Sequence, residues 1–394
     1  MGWPTRPVSA YQIRSLAVSV DGYGHLGTRG MPGKGSTMRI MELRSVPGFV
    51  AFDLDCPTSA GGTRRAPDAT RTEAALLARA MTYKFAVLEQ EFGGAKGVLR
   101  VDDADKESAI QRYCEEITPL VVRQEFLTSS DLGTATADFA SLPSYDPNSV
   151  MHQQIGGTMV DTLITGLGLV AAADAAIGGV EGNRFAVEGF GKVGGAAVAE
   201  IAHRGGGLVA LSTVHGCVAD ESGLDTELLF ELRAEHGDRC IENLGVPVLP
   251  SAALFEVDTD VLVPGARTGV IDADRAARLR ARVVSPAANV PYTVRGLAIL
   301  RERGVLALAD FVCSAGATIG YVRELFGALP DADAAHDIVD EWITDLTRRS
   351  MAHPDGPFAG ASAMAKEFLR TWREPDALPN GPALAPDSGE WDAT

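Results

Sequence analysis

No apolar run in the sequence reaches the roughly 18 residues that a helix needs to cross a bilayer. The N-terminus lacks the basic-then-apolar order of a secretory signal. Both absences predict a soluble, cytoplasmic chain. Cysteine is sparse: Cys56, Cys114, Cys217, Cys240 and Cys313 are scattered, odd in number and free of C-x-x-C spacing. That argues against any zinc or other metal site and against a disulfide framework, and predicts reduced, mostly buried thiols. Positive charge is also in deficit. Lys plus Arg amounts to 35 against 52 for Asp plus Glu, a net charge of −17, and such a surface repels nucleic acid and anionic membrane. Small anions are not excluded, because a local pair of cations can still hold a carboxylate. Lysine itself is scarce, six against 29 arginines. No internal repeat is visible.

With 394 residues, 46% apolar and 22% charged, the chain predicts two domains plus tails. Residues 1–37 are rich in Gly, Pro and Arg without periodicity and read as a flexible leader, with Met38 a candidate start. Over 38–147, strands at 38–55, a helix over 71–92, a Gly-Gly-Ala-Lys turn at 93–96, a strand at 98–101 and a helix over 106–125 predict an α/β domain. Residues 143–148 are a turn-rich linker and candidate hinge. Over 148–309, helices at 159–177 and 193–203 alternate with strands at 184–188, 207–212, 246–249, 261–263 and 282–284. That alternation predicts a parallel, doubly wound sheet. A helical segment follows over 310–373. The tail over 374–394, rich in Pro, Ala, Asp and Gly, reads as disordered.

Gly189-Phe190-Gly191-Lys192-Val193-Gly194 is a G-x-G-x-x-G that follows a predicted strand and opens a predicted helix. Gly189 permits a tight turn, Gly191 lets backbone approach a pyrophosphate, and Gly194 allows close helix–strand packing. The helix N-terminus adds N–H groups and partial positive charge. The bland alternative is a tight turn with no ligand. In dinucleotide sites the second strand ends in an acid that binds the adenosine ribose; here Thr213 stands at that point, with His215 nearby. A 2′-phosphate is then not repelled, yet no Arg cluster favours it, so NAD and NADP both stay open.

Because arginine serves wherever a plain surface cation is needed, the lysines carry information. Lys84 and Lys96 fall twelve residues apart in a mostly apolar segment. Burial lowers a lysine pKa toward neutrality, so one could act as a base while the other fixes a carboxylate; arginine cannot do the first. The alternative is two surface lysines with buried stems. Asp131, in a small-residue loop after a helix, is either a proton relay to an amine or an ordinary cap or Asx turn.

Together these residues resemble the glutamate/leucine/phenylalanine/valine dehydrogenase family, from about residue 38 to about 322. Ala60-Gly61-Gly62-Thr63-Arg64 is similar to the family's glycine pair at the substrate pocket. Met81-Thr82-Tyr83-Lys84 resembles the segment whose lysine grips the substrate carboxylate. Gly93-Gly94-Ala95-Lys96 matches the catalytic-lysine segment, and Ser130-Asp131-Leu132-Gly133 the catalytic-aspartate loop. Thr165-Gly166-Leu167-Gly168 resembles a helix start near the nicotinamide, and Ala288-Asn289 a pair at the nicotinamide ribose. The segment 310–316 looks like the one that closes the substrate pocket. The resemblance implies an N-terminal substrate-binding and oligomerisation domain, a Rossmann NAD(P)-binding domain and a cleft between them. It implies homo-oligomers, and catalysis with Lys96 as general base and Asp131 as proton shuttle. Substrate contacts would come from Lys84, Ala60, Gly61, Gly62, Ser129, Thr318 and Tyr321. Cofactor contacts would come from the 189–194 turn, Thr165, Thr213, Ala266 and Asn289.

Glutamate-specific members place a lysine just before the glycine pair, where this sequence has Ala60. An acidic side chain would then be desolvated without a partner, on the order of several kcal/mol, which favours an apolar or aromatic amino acid. The sequence is a mosaic. Ser314 replaces a usual Asn, Ala317 replaces a Gly, and the stretch over 214–225 looks more like glutamate dehydrogenases. Two alternatives therefore stand: a glutamate dehydrogenase with a rearranged side-chain site, and a catalytically weak nucleotide-binding paralogue.

Overall fold

The computed structural model describes residues 38–387; the expected leader at 1–37, and 388–394, lie outside the described residues. In chain order the first region holds β1 (Arg39–Glu42), β2 (Gly48–Phe52), β3 (Ser59–Arg65), α1 (Arg71–Val87), β4 (Gly93–Leu99), α2 (Lys106–Val122) and β5 (Phe126–Ser130). Its sheet runs β1-β2-β4-β3-β5, with β3 parallel to both β4 and β5. Strand parity assigns the two faces. Val50, Phe52, Ala95, Leu99 and Phe126 pack with Ile110, Tyr113 and Ile117 of α2. Phe49, Ala51 and Val98 pack with Ala74 and Ala78 of α1. Counting by twos along each strand, Lys96 of β4, Arg64 of β3 and Asp131 just past β5 belong to the α1 face.

The second region holds β6 (Gln154–Ile155), β7 (Thr158–Met159), α3 (Val160–Ile177), β8 (Arg184–Glu188), α4 (Lys192–His203), β9 (Gly207–Thr213), β10 (Gly216–Ala219) and α5 (Thr226–His236), followed by β11 (Val261–Val263), α6 (Ala273–Arg278), β12 (Val283–Val284), α7 (Val294–Glu302) and β13 (Leu306–Ala307). The sheet order is β10-β9-β8-β11-β12-β13. All pairs are parallel except the edge strand β10. The order reverses about β8, whose neighbours β9 and β11 lead away in opposite directions. A ligand crevice is expected outside the strand C-termini at such a switch point. Four helices follow: α8 (Asp310–Cys313), α9 (Gly316–Leu325), α10 (Ala332–Met351) and α11 (Pro357–Trp372).

Four expectations need correction. The 93–96 segment is not a turn but the start of β4. Residues 246–249 form no strand: Pro247 removes a ladder donor, and only Leu249 pairs, with Cys217. Asp131 follows strand β5 rather than a helix. Within the expected disordered tail, residues 374–387 pack against the fold. Ala385 accepts from Val294 N and donates to Tyr292 O, and Ala383 and Ala385 are buried among Leu77, Ala80 and Val290. Small apolar residues at this spacing bury area that the Pro- and Gly-rich composition conceals. Helix α3 is long and apolar enough to cross a membrane by length and composition alone. Its two aspartates interrupt the run, and it packs as a core helix against α4, α9 and α10.

Candidate active site

The two lysines are brought together by the docking of α1 onto β4. A Cβ on Gly94 would lie 1.9 Å from Ala78 O and 2.3 Å from Thr82 N. Glycine is therefore required for the approach of a helix, not for a turn. Gly94 N donates to Thr82 Oγ1 at 2.9 Å, fixing the contact. Lys84 near the end of α1 and Lys96 on β4 are only 6% and 3% exposed. Burial pushes Lys84 down to about 8, against the pull of Asp310, and pushes Lys96 down against Asp131. Lys84 Nζ donates to Ser314 O and Ser314 Oγ, each at 3.0 Å. Lys96 Nζ lies 2.6 Å from Asp131 Oδ2. Burial alone would raise the Asp131 pKa, but Lys96 and Arg64 outweigh it and hold the carboxylate well below its usual range. The α1 face thus carries one cation gripped by neutral groups and one carboxylate held by two cations.

Ala60, Gly61 and Gly62 lie mid-strand in β3. Ala60 is opposite Gly94 on one side and Leu127 on the other. Gly62 is opposite Ser129, and a Cβ there would stand 3.0 Å from Asp131 Cβ, so the glycine lets Asp131 lean over the strand. Thr318 and Tyr321 stand one turn apart on α9, both partly buried. The Tyr321 hydroxyl donates to Asp161 Oδ2 at 3.2 Å.

Sequence reasoning missed several partners. Arg64 Nε donates to Asp131 Oδ2 at 2.9 Å and its Nη1 to Glu73 Oε1 at 2.7 Å. The signal was present, since Arg64 closes the quoted glycine motif. Asp310, 1% exposed, accepts from Val290 N at 2.8 Å, and burial pushes its pKa up to about 6. Ser314 Oγ donates to Asp310 O at 2.7 Å while it accepts from Lys84. A serine thus serves where the family's Asn was expected.

At the switch point, Gly189 adopts φ +86°, and a Cβ on Gly194 would sit 1.9 Å from Gly189 O. Gly191 precedes the first turn of α4, and a Cβ there would meet nothing within 4 Å. The turn is therefore tight on its protein side and open on the other, which fits a pyrophosphate seated on the helix N-terminus. Phe190 is buried against Phe230, Val193 is half-buried and Lys192 exposed. Glu188 Oε2 accepts from Gly265 N and Ala266 N at 3.1 and 3.0 Å, tying the ends of β8 and β11 together. Thr165, in the second turn of α3, donates to Asp161 O at 2.7 Å. Asn289 is partly exposed beside Val290, which holds φ +52°. Thr213 closes β9, donates to Asp238 O at 2.8 Å and accepts from His215 N at 3.1 Å. Its hydroxyl is committed to the turn.

This is the layout of a two-domain, dinucleotide-dependent oxidoreductase with a buried lysine–carboxylate pair. Residues 156–342 match the profile described as glutamate/leucine/phenylalanine/valine dehydrogenase, and residues 47–144 match that family's dimerisation domain. The chain is 32% identical over 309 residues to a glutamate dehydrogenase of Thermotoga maritima, covering 72% of this chain and 74% of that one. To a glutamate dehydrogenase of Aeropyrum pernix it is 29% identical, covering 72% and 70%. Its fold is shared by the hetero-hexameric glutamate dehydrogenase of Thermus thermophilus in its Leu-bound form (TM-score 0.72, 24% identity, 85% and 88% coverage). L-Tryptophan dehydrogenase of Nostoc punctiforme shares it at TM-score 0.57 and 19% identity, covering 85% and 95%. The chain belongs to the glutamate/leucine/phenylalanine/valine dehydrogenase family and is an amino-acid dehydrogenase using NAD or NADP.

Proposed function

We propose that this protein oxidatively deaminates an L-amino acid with an apolar or aromatic side chain to the 2-oxo acid and ammonia, and catalyses the reverse reductive amination. The observation that carries the substrate class is the charge count around the site. Arg64 is spent on Asp131 and Glu73, and Lys96 on Asp131. Lys84 donates to the neutral Ser314, with the Asp310 carboxylate pulling on it without a direct hydrogen bond, which leaves it able to hold one substrate carboxylate. Ala60, between Gly94 and Leu127, offers nothing to a second. Arg323, two residues past Tyr321, is turned about 200° around α9 from it.

In this reading Lys84 neutralises the α-carboxylate and orients Cα. The nicotinamide supplies the hydride acceptor or donor at Cα. Lys96, its pKa lowered by burial, takes a proton from the water that attacks the imine. Asp131 carries the proton to and from nitrogen. Closure of the two domains excludes bulk water. The relatives named as glutamate dehydrogenases support a second reading, glutamate itself, which needs a further cation from outside this cluster. The matched dimerisation domain supports a homo-oligomer.

The test is the near-ultraviolet absorbance of the reduced nicotinamide with a panel of 2-oxo acids, ammonia, and NADH or NADPH. Rapid oxidation with a branched or aromatic 2-oxo acid is expected. A preference for 2-oxoglutarate would replace this substrate class with glutamate.

A further inference from the structure

The partners of Asp131 are unevenly shared between its two oxygens. Lys96 Nζ and Arg64 Nε both reach Oδ2, at 2.6 and 2.9 Å. Oδ1 has no protein hydrogen bond among the described residues, although the side chain is only 18% exposed. Arg64 is itself held from the far side. Its Nη1 meets Glu73 Oε1, and that same oxygen accepts from Thr268 Oγ1 at 3.2 Å. Thr268 stands two residues beyond Ala266, whose amide helps to tie β8 to β11 at the nucleotide turn. Polar contacts therefore run from Thr268, in the loop after β11, through Glu73 at the start of α1 and Arg64 at the end of β3, to the acid–base pair.

We propose that Arg64 is the positioning residue of the acid–base pair: it anchors Asp131 by Oδ2, leaves Oδ1 to the substrate nitrogen, and is set in place through Glu73 and Thr268 when the nucleotide domain meets the substrate domain. The inference rests on the amino-acid dehydrogenase reading with Lys96 and Asp131 as its acid–base groups. The chemistry gives Arg64 a task that Lys96 cannot perform. Lys96 must give up and regain a proton in each turnover, and when neutral it no longer holds the carboxylate. A guanidinium keeps its charge throughout and binds two carboxylates through a rigid fork. The charged groups around Asp131 are Lys96 from β4, Arg64 from β3, and Glu73 and Lys84 from α1.

The experiment compares Arg64→Met, Arg64→Lys and Thr268→Val with the natural protein, using the best 2-oxo acid of the panel. Nucleotide binding, followed by fluorescence, reports folding. Arg64→Met is expected to lower kcat by about 100-fold, the scale of a misplaced acid–base group, with KM within about threefold. The acid limb of its kcat profile should move up toward neutrality as Asp131 loses a permanent cation. Arg64→Lys should recover about tenfold of that loss, and Thr268→Val should cost only a few-fold in kcat. A fall in kcat with the acid limb unmoved, or Arg64→Lys no better than Arg64→Met, overturns the proposal in favour of a merely structural arginine. If Arg64→Met does not fold, Arg64→Lys decides alone: a kcat equal to that of the natural protein overturns the proposal. Lys96→Ala separates the two failures. If it retains turnover, the underlying reading fails; if it is inactive while the Arg64 variants are normal, only this inference does.

Discussion

Lys84, Lys96, Arg64 and Asp131 crowd four formal charges at the α1 face of the first sheet, whereas the turn at 189–194 presents glycine and backbone. The difference follows from what each half must do. Moving protons requires groups whose affinities for a proton have been displaced, and burial beside opposite charge displaces them. Holding a diphosphate requires only aimed N–H groups and room to approach, so glycine stands where the backbone must come close. One half is sensitive to charge, the other to volume.

The sharpest test of that contrast is Lys96→Ala. Turnover should fall by about 1,000-fold or more, while nucleotide affinity in a fluorescence titration stays within severalfold; loss of both together would break the contrast. Next is Lys84→Met, which should raise the KM for the 2-oxo acid by about 100-fold, the scale of a lost charge-assisted hydrogen bond. The same lysine predicts a pH dependence. With its pKa pushed down to about 8, Lys84 is cationic below that pH and neutral above it. The KM for the 2-oxo acid, which has no amine of its own to titrate, should therefore climb as pH rises through about 8. In the backbone half, Gly194→Val should weaken nucleotide binding by about 30-fold, equivalent to roughly 2 kcal/mol of overpacking. Substrate discrimination should be untouched. The smallest change is Thr213→Asp. A carboxylate at the end of β9 should lower the preference for NADP relative to NAD by about tenfold, read as a ratio of kcat/KM values.

The contrast also explains what could be read without coordinates. The nucleotide half was legible because a backbone requirement leaves a glycine pattern in consecutive residues, and strand 184–188 with the turn after it appears in the fold as expected. The lysines were legible because lysine is scarce. The element carrying Lys96 was misread, since two adjacent glycines signal a turn by propensity and only the distance to Ala78 reveals a packed strand. Arg64 escaped because it is one of 29 arginines and its value lies in partners 9 and 67 residues away. The packed tail segment escaped for a similar reason: Ala383 and Ala385 gain their burial from α1 and Val290, which no local pattern announces.

The contact at Gly94 has a consequence for how such an enzyme changes over time. The spacing between Lys84 on α1 and Lys96 on β4 is set where a glycine meets a helix backbone; no side chain there can be trimmed or lengthened to tune it. On the proposed function, substitutions at Ala60, Ser129, Thr318 or Tyr321 would reshape what is accepted without shifting Lys84 relative to Lys96. Taste and chemistry would then sit on separate parts of one frame, free to change independently.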